Sequence, residues 1–248
     1  MHDKFSDSAG VPWEGRAFQD NAFANDDGQT PSSLIPILAD RPVDKAAFTQ
    51  ALFGQRLLIP LLAELGEGEV GPNGLLVEKS ADLAIVAVST PDNQSAIPAF
   101  TSVSEMAAWN KEARPVPVSA EKVCLAAAKE GHNRVVINPA GERVALRRTQ
   151  LAAIAQGLVW DPPHRSNWVR DQILIATKKH TMILSVDLFD GDPNSDLGAA
   201  ELTIQLGFKP GLQPESLREI LIQLAGDLQT PEFLEKVDSF GFRLVVTN

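Results

Sequence analysis

The residues of this sequence best spaced for chemistry lie in one short loop, "DGDPNSDLGAAE", residues 190–201. Asp190, Asp192, Asn194, Asp196 and Glu201 fall at positions 1, 3, 5, 7 and 12 of a calcium-binding loop. Oxygen donors at that spacing could wrap a hard cation. Ser195 opposes it, because it stands where the sharp turn needs glycine, and Pro193 stiffens the fourth position. Strands, instead of helices, are expected on either side. The competing expectation is a solvated hairpin loop, in which Asp and Asn favour the turn. No metal is assigned.

Nucleophilic chemistry has one thiol to draw on, Cys124, the single cysteine of the chain. It falls among Val123, Leu125 and Ala127 in an alanine-rich helical pattern, where burial raises a thiol pKa and makes it inert. His2, His132, His164 and His180 show no metal-pair spacing. There is no G-x-S-x-G elbow. The glycine-rich stretch with Gly66, Gly68, Gly71 and Gly74 lacks the lysine and following helix of a phosphate loop, and Glu64, Glu67 and Glu69 would repel a phosphate. No catalytic residue and no cofactor are assigned, and a non-enzyme is favoured over an enzyme.

Binding has two candidate places. The corner "PAFTSVSEMAAW" could offer donors from Thr101, Ser102 and Ser104 beside free helix amides, with Phe100 or Trp109 as an apolar wall. Pro98, Phe100, Thr101, Ser102 and Trp109 are the candidate binding residues. A structural job competes: Ser102-x-x-Glu105 fits a capping box. The other place is the polar stretch before residue 33, where Trp13, Phe18 and Phe23 punctuate an Asp- and Gly-rich tail. Three large aromatics in such a tail could dock on the body or on a partner.

The elements that must position these residues read as α+β. Residues 1–32 are expected as a flexible, aromatic-bearing tail, 33–160 and 167–248 as two domains, and "DPPHRS" (161–166) as a proline-rich linker. Each domain should hold a small mixed or antiparallel sheet with helices packed on it. "DKAAFTQALF" reads as a helix, "RLLIPLLA" as a strand that Pro60 places at an edge or bulge, and "ELGEGEVGPNG" as a loop. "LLVEKS", "LAIVAVST" and "SAIPAFT" read as strands, with "PDNQ" as a hairpin turn. Helices are expected at 119–131, ending at Gly131, and at 148–157, ending at Gly157. "RVVINP" and "RVALRR" should pair across "NPAGE". After the linker come a helix, two strands around the acidic loop, two helices and a last strand, "FGFRLVVT".

The 248 residues carry a net charge of −10, spread along the chain with no basic segment. No nucleic-acid footprint is therefore expected. The longest apolar runs, "LLIPLLA" and "LAIVAV", are far shorter than the roughly 20 residues that span a bilayer, and the N-terminus lacks the pattern of a secretory signal. A soluble, cytoplasmic protein without membrane association is expected, with homo-oligomerisation left open.

"LLIPLLA", "LAIVAVSTPDNQSAIPAFTSVSEMAAWNKEARPVPV", "VVINPAGERVALRR" and "LAAIAQGLVWDPP" together resemble the SseB N-terminal domain. The pattern P-x-F-T-S, then a Trp one helical segment later, then R-P-V-P-V, carries the resemblance. The tail "PWEGR…NAFANDDG" resembles that of actinobacterial members, and 165–248 resembles the more divergent SseB C-terminal domain. The resemblance implies no catalytic residues. The expected function is protein–protein interaction without catalysis, with an unidentified protein partner. The alternative is binding or sensing of a small, amino-acid-like molecule at the corner 98–109.

Overall fold

The computed structural model describes residues 23, 26–63, 69–70, 76–77 and 83–247. Helices and small mixed sheets alternate along it, an α+β architecture. The chain runs α1 (Ile35–Ala39), α2 (Lys45–Ala51), β1 (Arg56–Ala63), β2 (Glu69–Val70), β3 (Leu76–Val77), β4 (Leu83–Ile85), β5 (Val88–Ser89), β6 (Ser95–Ala99), α3 (Val103–Trp109) and β7 (Arg114–Ser119). It continues α4 (Ala120–Lys129), β8 (Arg134–Ile137), β9 (Val144–Arg147), α5 (Arg148–Gln156), α6 (Asn167–Thr177), β10 (Ile183–Asp190), β11 (Leu202–Phe208), α7 (Pro214–Leu228), α8 (Pro231–Lys236) and β12 (Phe240–Val246).

Two large apolar cores form among the described residues. The first draws on residues between Leu34 and Ile154. In α4, Ala120, Val123, Cys124 and Ala127 fall on one helical face and are buried there. In α5, Leu151 and Ile154 do the same. Both helices end as the glycine signals predict: Gly131 has φ 78° and Gly157 φ 66°, the left-handed turn a Cβ resists. Beneath them lie the sheet β5-β6-β8-β9, in which β6 and β8 run parallel, and the sheet β4-β1-β7. The second core packs α6, α7 and α8 on the sheet β10-β11-β12. Val169 and Ile173 of α6, Leu224 and Leu228 of α7 and Phe233 of α8 meet Ile204 and Leu206 of β11 there.

Three expectations change. Pro60 lies in a central strand, not at an edge. The backbone of Leu58 bonds Phe100 on the side away from β7, and β4 pairs only from Leu61 onward. Pro60 falls in the gap between those two partners, where no N–H is needed. Pro115 and Pro117 of β7 stand opposite Pro60 and Leu58. By the same alternation their nitrogens face outward, on the free edge of that sheet. Next, "LAIVAVST" is broken into β4 and β5, in different sheets. Finally, Glu69–Val70, inside the stretch read as a loop, forms a two-stranded ribbon with Leu76–Val77 of the expected strand "LLVEKS". The rest of that glycine-rich stretch lies outside the described residues.

Candidate functional site

The corner after β6 is buried, and its polar groups face inward. Phe100 exchanges both backbone bonds with Leu58, at 2.8 and 2.9 Å. Its ring packs 5.4 Å from that of Trp109, with Leu58 and Met106 completing a small cluster. The Thr101 amide donates to Asn138 Oδ1 at 3.0 Å, and its hydroxyl lies 3.0 Å from both Asn138 Nδ2 and Thr30 Oγ1. Its carbonyl accepts from Arg56 Nη1 at 2.6 Å. The same guanidinium grips Asp26 through Nη2 and Nε, each at 2.6 Å, and donates to the Gln29 carbonyl.

Two of the amides expected to be free at this helix start, those of Val103 and Glu105, are taken. Ser102 Oγ accepts from the Glu105 amide at 3.2 Å, the forward half of the capping box. The Val103 amide donates to the Gly28 carbonyl at 2.9 Å. Gly28 has φ 73°, and a Cβ there would lie 2.9 Å from Val103 Cγ2, so this approach requires glycine. The chain's own residues 26–30 thus occupy the corner. Pro98 is buried within β6. Trp109 alone of the five candidates is only half-buried, and it lines a pocket of about 190 Å³ with Thr90, Arg143, Asp196 and Leu197. In the tail, Phe23 is half-buried and its carbonyl accepts from the Asp26 amide. Trp13 and Phe18 lie outside the described residues.

The acidic loop is the largest departure from expectation. It is solvated only in part: Pro193, Asn194, Gly198 and Ala199 are exposed, but Asp192, Ser195, Leu197 and Glu201 are buried where the second core meets the first. Two arginines at the ends of neighbouring strands explain why. Arg134, at the start of β8, donates to both carboxylate oxygens of Asp238 at 2.9 and 2.8 Å, and to Asp92 at 2.9 Å. Arg147, at the end of β9, pairs with Asp192 at 2.6 Å and reaches the Ala199 carbonyl and Ser239. Gln150 accepts the Arg147 amide, which completes the start of α5. Asp192 also accepts the amides of Asp196 and Leu197. Lys45 pairs with Asp190 at 2.5 Å. The loop backbone adds bonds across the seam, from the Val43 amide to Pro193 and from Ala145 to Ser195.

Its carboxylates are therefore turned to different protein partners and not to a shared point, as a calcium site would need. Among the described residues, no group of three His, Cys, Asp or Glu could hold a metal ion.

Glu201 is the most perturbed member of the seam. It is 3% exposed. Burial, with the nearby Asp238 charge, pushes its carboxyl up to about 7, against the pull of the Asp238 amide, Arg147 and Thr149. The Asp238 amide donates to one oxygen at 2.6 Å and the Thr149 hydroxyl to the other at 3.2 Å. Trp160 Nε1 in turn donates to Thr149. Cys124 is fully buried, and burial pushes its thiol up to about 12, which removes it as a nucleophile near neutral pH.

The same seam opens on its outer side into a trough of about 720 Å³. Its walls are α5 through Arg148, Ala152 and Gln156, the connecting segment through Leu158, Val159 and Trp160, α6 through Trp168, and α8 through Lys236. Lys236 lies over the Trp168 ring at 5.9 Å. Arg148 caps the end of α8, donating to the carbonyls of Leu234 and Val237. Leu158 and Val159 are 55% and 82% exposed. Sequence reading passes over this trough, because the wall that closes it, α8, lies far along the chain from the continuous run 148–169 that forms the rest. The available signal is "GLVWDPP", apolar residues in a stretch that cannot be helix.

An α+β protein with two cores, an ionic seam and an open trough is thus the class defined by the fold. Residues 37–153 match the family model of the SseB protein N-terminal domain. That match supports the SseB family for this part of the chain. No curated protein and no solved structure matches the chain significantly. No described helix is long and apolar enough to cross a membrane.

Proposed function

We propose that this protein binds another protein without catalysis, and that the trough between α5, α6 and α8 is its docking surface. One observation carries the proposal: Leu158 and Val159 stand side by side and uncovered on a concave surface that also presents Trp168. Aromatic and aliphatic anchors beside a trough are what a partner's apolar segment requires. The buried charges near it are engaged in holding the two cores together. The segment after 166, which continues the matched domain through this seam, is taken as the SseB C-terminal-like domain, in a protein of the actinobacterial type that works in the cytoplasm.

The test is a double substitution, Leu158→Asp with Val159→Asp. Both side chains are exposed, so stability should change by no more than about 0.5 kcal/mol. Proteins that copurify with the wild type from the native host should be lost or weakened at least ~10-fold, as for an interface anchor. An unchanged set of copurifying proteins would sink the proposal.

A second reading rests on Trp109. Its pocket of about 190 Å³ also carries Arg143 and Asp196, charges that could meet the carboxylate and ammonium of an amino acid. A thermal-shift screen of amino acids decides it. A ligand at 100 times its dissociation constant should stabilise the protein by about 2.7 kcal/mol. No response from any amino acid would remove this alternative.

A further inference from the structure

The free sheet edges of this protein are not treated alike. On the edge of β7, Pro115 and Pro117 present nitrogens that cannot donate, a common way to block strand addition. The β9 edge is covered in part by the acidic loop, through the bond from the Ala145 amide to the Ser195 carbonyl. The β10 edge carries a register break between Ile183 and Ser185 and a charge at Asp187. The β12 edge has no such device. Its sequence, "FGFRLVV", holds neither proline nor lysine, and its pairing to β11 runs without a bulge from Phe240 to Val246. Its one charge, Arg243, is turned back over the Phe189 ring, 4.4 Å from the centroid.

The direction of its free groups follows from the ladder. The Leu202 amide donates to the Ser239 carbonyl, and the Thr247 amide to the Phe208 carbonyl. Odd-numbered residues of β12 therefore face β11. The N–H and C=O groups of Phe240, Phe242, Leu244 and Val246 face away from it. Among the described residues, no further strand pairs with them. Leu244 and Val246 are also 41% and 72% exposed. Beside them lies a pocket of about 170 Å³ lined by Phe208, Leu212 and Leu217.

We propose that β12 pairs antiparallel with β12 of a second copy of this chain, about a two-fold axis at Leu244, to join the two sheets into one. The strand is self-complementary in this register. Leu244 meets Leu244 and Phe242 meets Val246, each pair with both backbone groups facing outward, so that each exchanges two hydrogen bonds. The apolar side chains of these pairs lie together on the helix-bearing side of the sheet, the side of Ile204 and Leu206. Arg243 meets Val245. A two-fold axis at Arg243 would instead place arginine against arginine, a repulsive cross-strand pair. The outward groups are identical in both copies, which a two-fold interface demands. This interface is independent of the trough.

Sedimentation velocity on the full chain across ~1–200 µM tests it. The expected result is a concentration-dependent species of twice the 26.7 kDa chain mass. Val246→Lys, at an exposed edge position, should leave the fold unchanged and weaken the dimer at least ~10-fold. Leu244→Pro should do the same, because it removes an outward N–H and spares those bonded to β11. Leu244→Cys should give a covalent dimer with a short bifunctional thiol crosslinker, since a hydrogen-bonded pair spaces Cα atoms by only about 5.5 Å. The native Cys124 is buried and should not compete. A wild type that stays monomeric at the top of the range would overturn the proposal. So would a dimer unaffected by Val246→Lys, or a Leu244→Cys protein that does not cross-link.

Discussion

Arg134→Ala is expected to lower the unfolding free energy by about 3–5 kcal/mol, the usual cost of removing one partner from a buried ion pair. Arg134 is among the most deeply buried large side chains of the protein. It bonds both oxygens of Asp238, whose side chain is itself buried, and holds Asp92 on the far side. Without it, Asp238 keeps only the longer contacts to Arg147 at 3.4 Å and Arg148 at 3.9 Å. The cost comes from leaving that carboxylate under-compensated in a buried seam, more than from the attraction lost. Arg134→Leu combined with Asp238→Leu should therefore cost less than Arg134→Ala alone. Urea denaturation followed by tryptophan fluorescence measures both. Because Arg134 and Asp238 lie on opposite sides of the seam, Arg134→Ala should also separate the unfolding of the two cores into distinct transitions. A loss under about 1 kcal/mol would show that the seam contributes little to stability.

Glu201→Gln is expected to remove a pH dependence that the wild type shows below neutrality. The Glu201 carboxyl is raised from 4.5 to about 7 in the folded protein. Between those values the folded state binds more protons than the unfolded state, so stability falls as pH rises from about 4.5 to about 7 and levels off above. The size of the fall is about 3 kcal/mol. Glutamine imitates the protonated acid: its carbonyl can accept the Asp238 amide while its NH₂ faces the Thr149 hydroxyl. The two proteins should match near pH 4.5, and the variant should be the more stable by about 3 kcal/mol at about pH 8. Asp192 acts in the same direction, since burial raises its carboxyl too. Asp92 and Asp196 act oppositely. Their carboxyls are lowered, so their contribution is present above the ordinary value of 3.8 and is lost as pH falls through the depressed ones. The comparison of wild type with Glu201→Gln cancels these and isolates one residue. A variant whose stability tracks the wild type at every pH would contradict the assignment.

Much of the fold is legible in the sequence because local signals and burial agree. In α4 the apolar spacing and Gly131 define the buried face and the end of the helix. In β11, Leu202, Ile204 and Leu206 alternate in the sequence and are buried in the sheet. Asp44 and Thr230 cap the helices they precede. What is not legible depends on distance along the chain. Pro60 reads as an edge residue in any local window, and only the changeover from Phe100 to β4 makes a central place harmless. Arg134 and Arg147 look like ordinary exposed charges at strand ends. They are buried because their partners, 104 and 45 residues away, arrive from the second core. The acidic loop reads as solvated for the same reason. At the corner, Thr101 and Ser102 stand out in the sequence as a dense set of donors and acceptors, and in the structure both are buried and bonded within the chain. The partners of Thr101 are Asn138, Arg56 and Thr30, which no local pattern announces, whereas Ser102 accepts the Glu105 amide as its spacing predicts.

The most direct test of the binding function is a photo-crosslinking amino acid placed at Val159, with the full chain expressed in its native host. Val159 is the most exposed apolar side chain of the trough, at 82%. Ile222 of α7, exposed but outside the trough, is the control position. The expected result is a discrete adduct with one protein at position 159 and none of that adduct at 222. Its absence at 159, or the same adducts at both positions, would contradict docking in the trough.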